Sequence, residues 1–139
     1  MTRLRERAVN GTAQFVSGLL TLVGVVGLLK TSFSDFAASE GVHFIGMTVN
    51  PLTNLVHLGA GLVGIAMATR LDHAQRYLAA VGGGGAVFAL LEFVLGDSGA
   101  DIFGRDTNLA IAQLVVAVGA LAVWWWARQG SQREPARVA

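Results

Sequence analysis

The chain has 139 residues, 53% of them hydrophobic and only 14% charged, whereas about a quarter of the residues are charged in soluble domains. Its formal net charge of +1 provides no basic face for a phosphate backbone, so no nucleic-acid partner is expected. The absence of cysteine excludes disulfides, thiolate metal sites and thiol catalysis. The composition therefore predicts an integral membrane protein whose main partner is the lipid bilayer.

Four apolar windows follow one another along the chain, at about 11–29, 51–69, 77–96 and 109–127. As a helix, each is long enough to cross a hydrocarbon core about 30 Å thick. We predict an all-α fold, an integral membrane four-helix bundle, with residues 1–139 forming a single transmembrane domain. The short links favour antiparallel, up-down spans.

The first window follows an arginine-rich start, an arrangement shared with secretory signal peptides. Its apolar run is longer than the roughly 7 to 15 residues of a signal-peptide core. We therefore predict that this window is retained as the first span.

Basic residues are distributed unevenly among the connecting segments. Eight of the ten lie in the amino-terminal segment, in the link between the second and third windows, or in the tail: Arg3, Arg5, Arg7, Arg70, Arg76, Arg128, Arg133 and Arg137. The other two links carry more than half of the acidic residues. By the positive-inside rule, the N- and C-termini are predicted to be cytoplasmic in a multi-pass membrane protein.

The second window carries its unusual residues on one helical face. Alternating steps of four and three residues connect Asn50, Asn54, His57, Gly61, Gly64 and Ala68, and the same steps in the third window connect Gly82, Gly85, Ala89, Glu92 and Gly96. Small residues allow membrane helices to approach closely. We therefore predict helix packing at Gly61, Gly64, Gly82, Gly85 and Ala89.

Asn54, His57, Glu92 and Gln113 are predicted to lie at similar depth in the outer half of the membrane, where they form a candidate polar cluster. A buried glutamate is costly as an ion, so Glu92 is expected to be protonated or to share a proton with His57. The structural alternative for His57 is a hydrogen bond that fixes helix packing. Since the other histidines lie on opposite sides of the predicted membrane, no metal site and no cofactor are expected.

The outer links offer two further features. Asp97, Asp101 and Asp106 are candidate ligands for a weakly bound divalent cation, although such runs are more often solvated loops. The segment before the second window places Phe44 and Ile45 beside water. We expect it to rest on the bilayer surface or to cap the mouth of the bundle.

The run FIGMTVNPLTNLVHLGAGLVGIA, residues 44–66, resembles the signature of a family of small bacterial four-span membrane proteins, domain-of-unknown-function family 4383. The residues that match are Gly46, Val49, Asn50, Pro51, Asn54 and His57, and Thr53 stands where a histidine is common. A second family phrase at the start of the last span is represented by Asp106 and Asn108, with Ile111 at its histidine position. The resemblance implies a four-span fold in the bacterial inner (cytoplasmic) membrane and no particular activity.

No serine, histidine and acid set of a hydrolase is recognisable, so no catalytic residue and no enzyme activity are expected. The sequence favours a structural or accessory subunit of a membrane assembly, as a homo-oligomer or with a membrane-protein partner. The alternative is a small transporter or ligand-binding bundle that uses His57 and Glu92.

Overall fold

A computed structural model describes residues 2–32, 36, 42–95 and 106–131. Most of these residues belong to four helices: α1, Thr2–Thr31; α2, Pro51–Met67; α3, Leu71–Leu95; and α4, Thr107–Ser131. Two short strands, β1 (Val42–Phe44) and β2 (Met47–Val49), form an antiparallel hairpin before α2. The predicted all-α helical bundle is confirmed, and the hairpin is an element that the sequence did not predict.

Helices α1, α3 and α4 are long and apolar enough to cross a membrane, which confirms the prediction of a transmembrane protein. Each continues beyond its predicted apolar window, because helical structure extends into the flanking polar residues. Helix α2 is apolar but has 17 residues. At about 1.5 Å per residue it measures roughly 25 Å, near the lower limit for a helix that crosses a bilayer.

Local signals in the sequence account for the start of α2. The Asn50 side chain accepts a hydrogen bond from the backbone nitrogen of Thr53 at 2.8 Å and so caps the helix. Pro51 follows in the first turn, where its missing N–H leaves no hydrogen bond unmade. After Met67 only three residues precede α3, so α2 and α3 form a tight helical turn.

The helices run antiparallel, as predicted, and both described ends of the chain lie at one end of the bundle. There the guanidinium carbon of Arg5 in α1 lies 5.4 Å from the ring centroid of Trp126 in α4. We call this the terminal end, and it also holds the α2–α3 turn. The opposite end, the hairpin end, holds β1, β2 and the starts of α2 and α4.

A closed hydrophobic core occupies the terminal half of the bundle. Its buried members are Val9, Ala13, Val16, Ala68, Ala74, Tyr77, Leu78, Ala120 and Ala127. Alanines bring the helices close together, and the larger side chains of Leu78 and Tyr77 fill the space that remains. The end of the bundle that carries the chain ends is therefore tightly packed.

The four helices associate as two pairs. Helix α1 packs along α2, and α3 packs along α4, whereas contact between α2 and α3 is sparse. Because the pairs meet less extensively than the helices within each pair, the centre of the bundle depends on how the two pairs dock.

Candidate functional site

Helices α1 and α2 approach each other so closely that glycines occupy the contact positions, where a side chain would not fit. A Cβ on Gly61 would lie 2.5 Å from the backbone nitrogen of Thr21, and a Cβ on Gly64 would overlap the side chains of Ser17 and Tyr77. Both glycines were predicted to mediate packing, and the structure places them against neighbouring helices. The two backbones are therefore in direct contact, which is how small residues stabilise helix pairs in lipid.

Asn54, the first member of the predicted polar cluster, faces α1. Its side-chain amide occupies the space that a Cβ on Gly27 would need. It is fully buried, and neither its oxygen nor its nitrogen has a hydrogen-bond partner. Asn54 therefore packs within the α1–α2 interface and does not line the centre of the bundle.

His57 is buried on α2, one turn beyond Thr53. Its Nδ1 lies 2.8 Å from the carbonyl oxygen of Thr53. A carbonyl oxygen only accepts hydrogen bonds, so Nδ1 must carry a hydrogen and donate it. In the neutral ring, Nε2 is then an acceptor with a free lone pair.

Glu92 on α3 and Gln113 on α4 lie next to each other. The Gln113 Nε2 donates a hydrogen bond of 3.4 Å to the Glu92 Oε1, and the Gln113 Oε1 is buried without a partner. Among the described residues, no hydrogen bond joins Asn54 or His57 to this pair. The structure thus brings two of the four predicted residues together and places the other two separately on α2.

A cavity of about 460 Å³ lies between the two helix pairs, toward the hairpin end. All four helices and β2 contribute to its wall, with representative residues Leu20, Val23, Met47, Ala60, Val81, Gly84, Phe88, Leu109, Ala112 and Val116. Among the described residues, His57 and Gln113 are the only polar side chains that line it. Two members of the predicted cluster therefore share one apolar cavity.

The glycine run at 82–85 accounts for part of the cavity, because glycines have no side chains to fill it. A Cβ on Gly82 would lie 2.7 Å from the Leu121 side chain, and one on Gly85 would lie 3.4 Å from the Ala117 Cβ, so these two glycines pack against α4. Gly84 has no neighbour within 4 Å of such a Cβ, and it lines the cavity. The run therefore serves helix packing at its ends and leaves open space in its middle.

Ala89, the remaining predicted packing residue, lies one turn further along α3. Its side chain is fully buried. With Gly82 and Gly85 it continues the buried face of α3 toward Glu92, which is also buried.

The β-hairpin is fastened to the start of α4 by two polar side chains. The Asp106 Oδ1 accepts hydrogen bonds from the backbone nitrogens of Asn108 at 2.7 Å and Leu109 at 3.0 Å, and its Oδ2 accepts one from the Thr48 backbone. The Asn108 side chain donates to the Gly46 carbonyl oxygen at 3.0 Å. Asp106 therefore caps α4 and holds the hairpin at the same time.

These hydrogen bonds also favour the ionised form of the Asp106 carboxyl group. Burial alone would raise its pKa, but the backbone N–H groups of Leu109, Thr48 and Asn108 together hold the pKa below the ordinary value of 3.8. Its two oxygens are engaged by the protein chain, so Asp106 fits a structural role better than the divalent cation site considered above. Asp97 and Asp101 lie outside the described residues.

A family model described as Domain of unknown function (DUF4383) matches residues 11–126. The chain belongs to this family. The resemblance inferred from the run at 44–66 is thereby confirmed, since the match covers most of the chain. No curated protein and no solved structure matches this DUF4383 protein.

In this DUF4383 protein, the residues that carry the resemblance divide into two structural groups. Asn50 and Pro51 begin α2 and so set the position of His57 on the cavity wall. Asp106 and Asn108 hold the hairpin, whose Met47 also lines the cavity. The role of Asp106 in capping was readable from its place before an apolar run, but its tie to Thr48 was not.

Proposed function

We propose that this DUF4383 protein is a membrane-embedded binding protein for a small apolar molecule. The observation that carries the proposal is the cavity of about 460 Å³, whose described lining residues are apolar except for His57 and Gln113. Ligand sites in proteins typically measure about 300 to 1,000 Å³ and combine apolar walls with a few polar groups. The cavity supports the ligand-binding alternative over an accessory subunit, because a subunit that only associates needs no interior space.

The arrangement of the helix pairs supports entry of the ligand from the bilayer. Contact between α2 and α3 is sparse, and the cavity lies between the two pairs. Apolar molecules concentrate in the hydrocarbon region, since their transfer out of water is favourable. The route we propose therefore runs laterally from lipid, between the two helix pairs.

Binding can be tested with biphenyl as the probe, on protein in lipid nanodiscs. Equilibrium dialysis would measure biphenyl uptake by the native protein and by Gly84→Phe, whose ring would occupy the open space beside Gly84. We expect the native protein to bind one biphenyl above the lipid background, and the variant to match empty nanodiscs. Equal uptake by the two proteins would contradict the proposal.

We further propose that α2 completes four crossings of a bacterial inner membrane, with both termini in the cytoplasm. Support comes from the basic residues Arg3, Arg5, Arg70 and Arg128, which belong to the segments gathered at the terminal end. A helix of about 25 Å crosses with slight local thinning of the bilayer, at modest cost.

The orientation can be tested because the chain has no cysteine of its own. Single-cysteine variants Leu4→Cys and Ile45→Cys place exposed thiols at the terminal end and at the hairpin. A membrane-impermeant maleimide added to intact spheroplasts should label Ile45→Cys alone, and permeabilised membranes should allow labelling of both. Labelling of Leu4→Cys in intact spheroplasts would reverse the proposed orientation.

A further inference from the structure

We infer that the cavity selects ligands that carry a hydrogen-bond donor, a hydroxyl or N–H group, on an apolar body. This inference rests on the proposed function and adds to it the chemistry of the ligand's polar group. It is drawn from the two polar side chains on the cavity wall, His57 and Gln113, each of which holds an acceptor atom that no described donor uses.

The first acceptor is the Nε2 of His57. The hydrogen on Nδ1 is used by the Thr53 carbonyl oxygen at 2.8 Å, so the neutral ring has only a lone pair left at Nε2. A doubly protonated ring would place a positive charge on an apolar wall, and no described carboxylate forms a hydrogen bond with His57 to offset that cost. The ring therefore accepts a hydrogen bond from the cavity.

The second acceptor is the Oε1 of Gln113, on the opposite helix pair. The Nε2 of this side chain donates toward the Glu92 Oε1 at 3.4 Å, which orients the amide. Its Oε1 is buried and has no hydrogen-bond partner. The surrounding packing leaves almost none of this oxygen's surface open to the cavity. Burying an acceptor without a donor is unfavourable, so a turn of the side chain that brings the oxygen to a ligand's donor gains free energy.

The two acceptors distinguish between otherwise similar ligands, because both favour a ligand that donates a hydrogen bond over one that only accepts. A hydroxyl group on an apolar molecule would donate to His57 or to Gln113, whereas an ether or ketone oxygen would face their lone pairs. A pure hydrocarbon would fill the volume and leave both acceptors unpaired. The donor therefore determines specificity, and the apolar wall supplies general affinity.

The test compares 4-hydroxybiphenyl with 4-methoxybiphenyl by equilibrium dialysis against the protein in lipid nanodiscs. Uptake by Gly84→Phe measures the partitioning of each probe into lipid and is subtracted. We expect the hydroxyl probe to bind roughly tenfold more tightly, the size of effect that one hydrogen bond to a buried acceptor produces. Equal affinity, or a preference for the ether, would overturn the inference.

Two variants assign the preference to the named atoms. Because one donor can use either acceptor, His57→Phe should reduce it and the double variant His57→Phe/Gln113→Leu should abolish it. Gln14→Leu, the same substitution as at Gln113 but at an exposed position outside the cavity, should leave it unchanged. Measuring both cavity variants keeps the assignment testable if one of them fails to fold. A tenfold preference that persists in both would overturn the assignment.

The outcomes also separate this inference from the proposed function. If biphenyl and the ether bind as tightly as the hydroxyl probe, the cavity is a binding site without donor selectivity, and only the inference fails. If none of the three probes binds above the Gly84→Phe background, the proposed function fails as well.

Discussion

The terminal half of the bundle is closed and the hairpin half is open, although the same four helices build both. In the terminal half, Leu78 and Tyr77 fill the space between alanines, and each core residue is at most 5% exposed. In the hairpin half, Ala60, Gly84 and Ala112 line the cavity, and the described side chains leave it unfilled. Small residues therefore close a membrane interface only where a backbone or a large side chain meets them.

The largest expected effect compares a leucine from each half. Leu78→Ala should lower the free energy of unfolding by about 3 kcal/mol, because it opens a void in a closed core. Leu19→Ala, on the cavity wall, should lower it by only about 1 kcal/mol, since it enlarges a space that already exists. Reversible unfolding in mixed micelles measures both, and equal losses would remove the contrast between the halves.

The close approach of α1 and α2 gives the next largest effect. Gly61→Ala should cost about 2 kcal/mol, because the added Cβ would lie 2.5 Å from the Thr21 backbone nitrogen and the helices must separate. The matched control is Gly83→Ala, whose Cβ meets no atom within 4 Å. Its stability should stay the same or rise slightly, since alanine favours helix over glycine. A similar loss in both variants would show that the α1–α2 contact is looser than described.

Removing the contact that holds the hairpin should lower the free energy of unfolding less than either packing substitution does. Asp106→Ala removes the cap of α4 and the acceptor for the Thr48 backbone, and we expect a loss of about 1 kcal/mol. Hydrogen exchange of the Thr48 amide should also accelerate. The control variant Glu6→Ala removes an exposed carboxylate from α1 and should change neither the free energy of unfolding nor the exchange rate. Unchanged exchange at Thr48 would mean that Asp106 does not hold the hairpin.

The same contact predicts a pH dependence. The folded pKa of Asp106 lies below 3.8, so the ionised carboxylate stabilises the folded state fully above that value. This stabilisation is lost as the pH falls through the lowered pKa. In an NMR titration, the Thr48 amide shift should therefore stay constant down to about pH 4 and change below it. Asp106→Asn should abolish that transition, and a transition retained in this variant would point to another group.

The smallest effect concerns the tip of the hairpin. Ile45 and Gly46 have φ values of +50° and +73°, a conformation that favours Asn-Gly in two-residue turns and is costly for isoleucine. Ile45→Asn should therefore stabilise the protein by up to about 1 kcal/mol in the same unfolding assay. A loss of stability would show that the exposed isoleucine side chain contributes more in the bilayer than its backbone costs.

The sequence predicts the fold of this protein better than its site, and α2 shows why. Spacing along the helix identified the buried face that contains Asn54, His57 and Gly61, because one helix repeats every 3.6 residues. The predicted depth in the membrane is similar for Asn54 and His57. It therefore did not show that Asn54 faces α1 while His57 faces the cavity. That distinction depends on which neighbouring helix lies beside each residue.

The cavity and the hydrogen bonds that hold the hairpin to α4 could not be predicted from the sequence, for a related reason. Thr48 and Asp106 are 58 residues apart, and their contact exists only after the two helix pairs have docked. The open space beside Gly84 likewise depends on the distance between the pairs. Helical spacing predicted packing at Gly82 and Gly85, but it did not show that Gly84 between them lines open space.

The most direct test of the open hairpin half is the position of a heavy atom bound inside it. Crystals of the protein grown with 4-bromobiphenyl would locate the bromine from its anomalous scattering. We expect a single strong peak between the helix pairs, in contact with Leu20, Gly84 and Val116, and no peak within the terminal core. Bromine found only on the lipid-facing surface, with the centre of the bundle filled by protein side chains, would contradict the account.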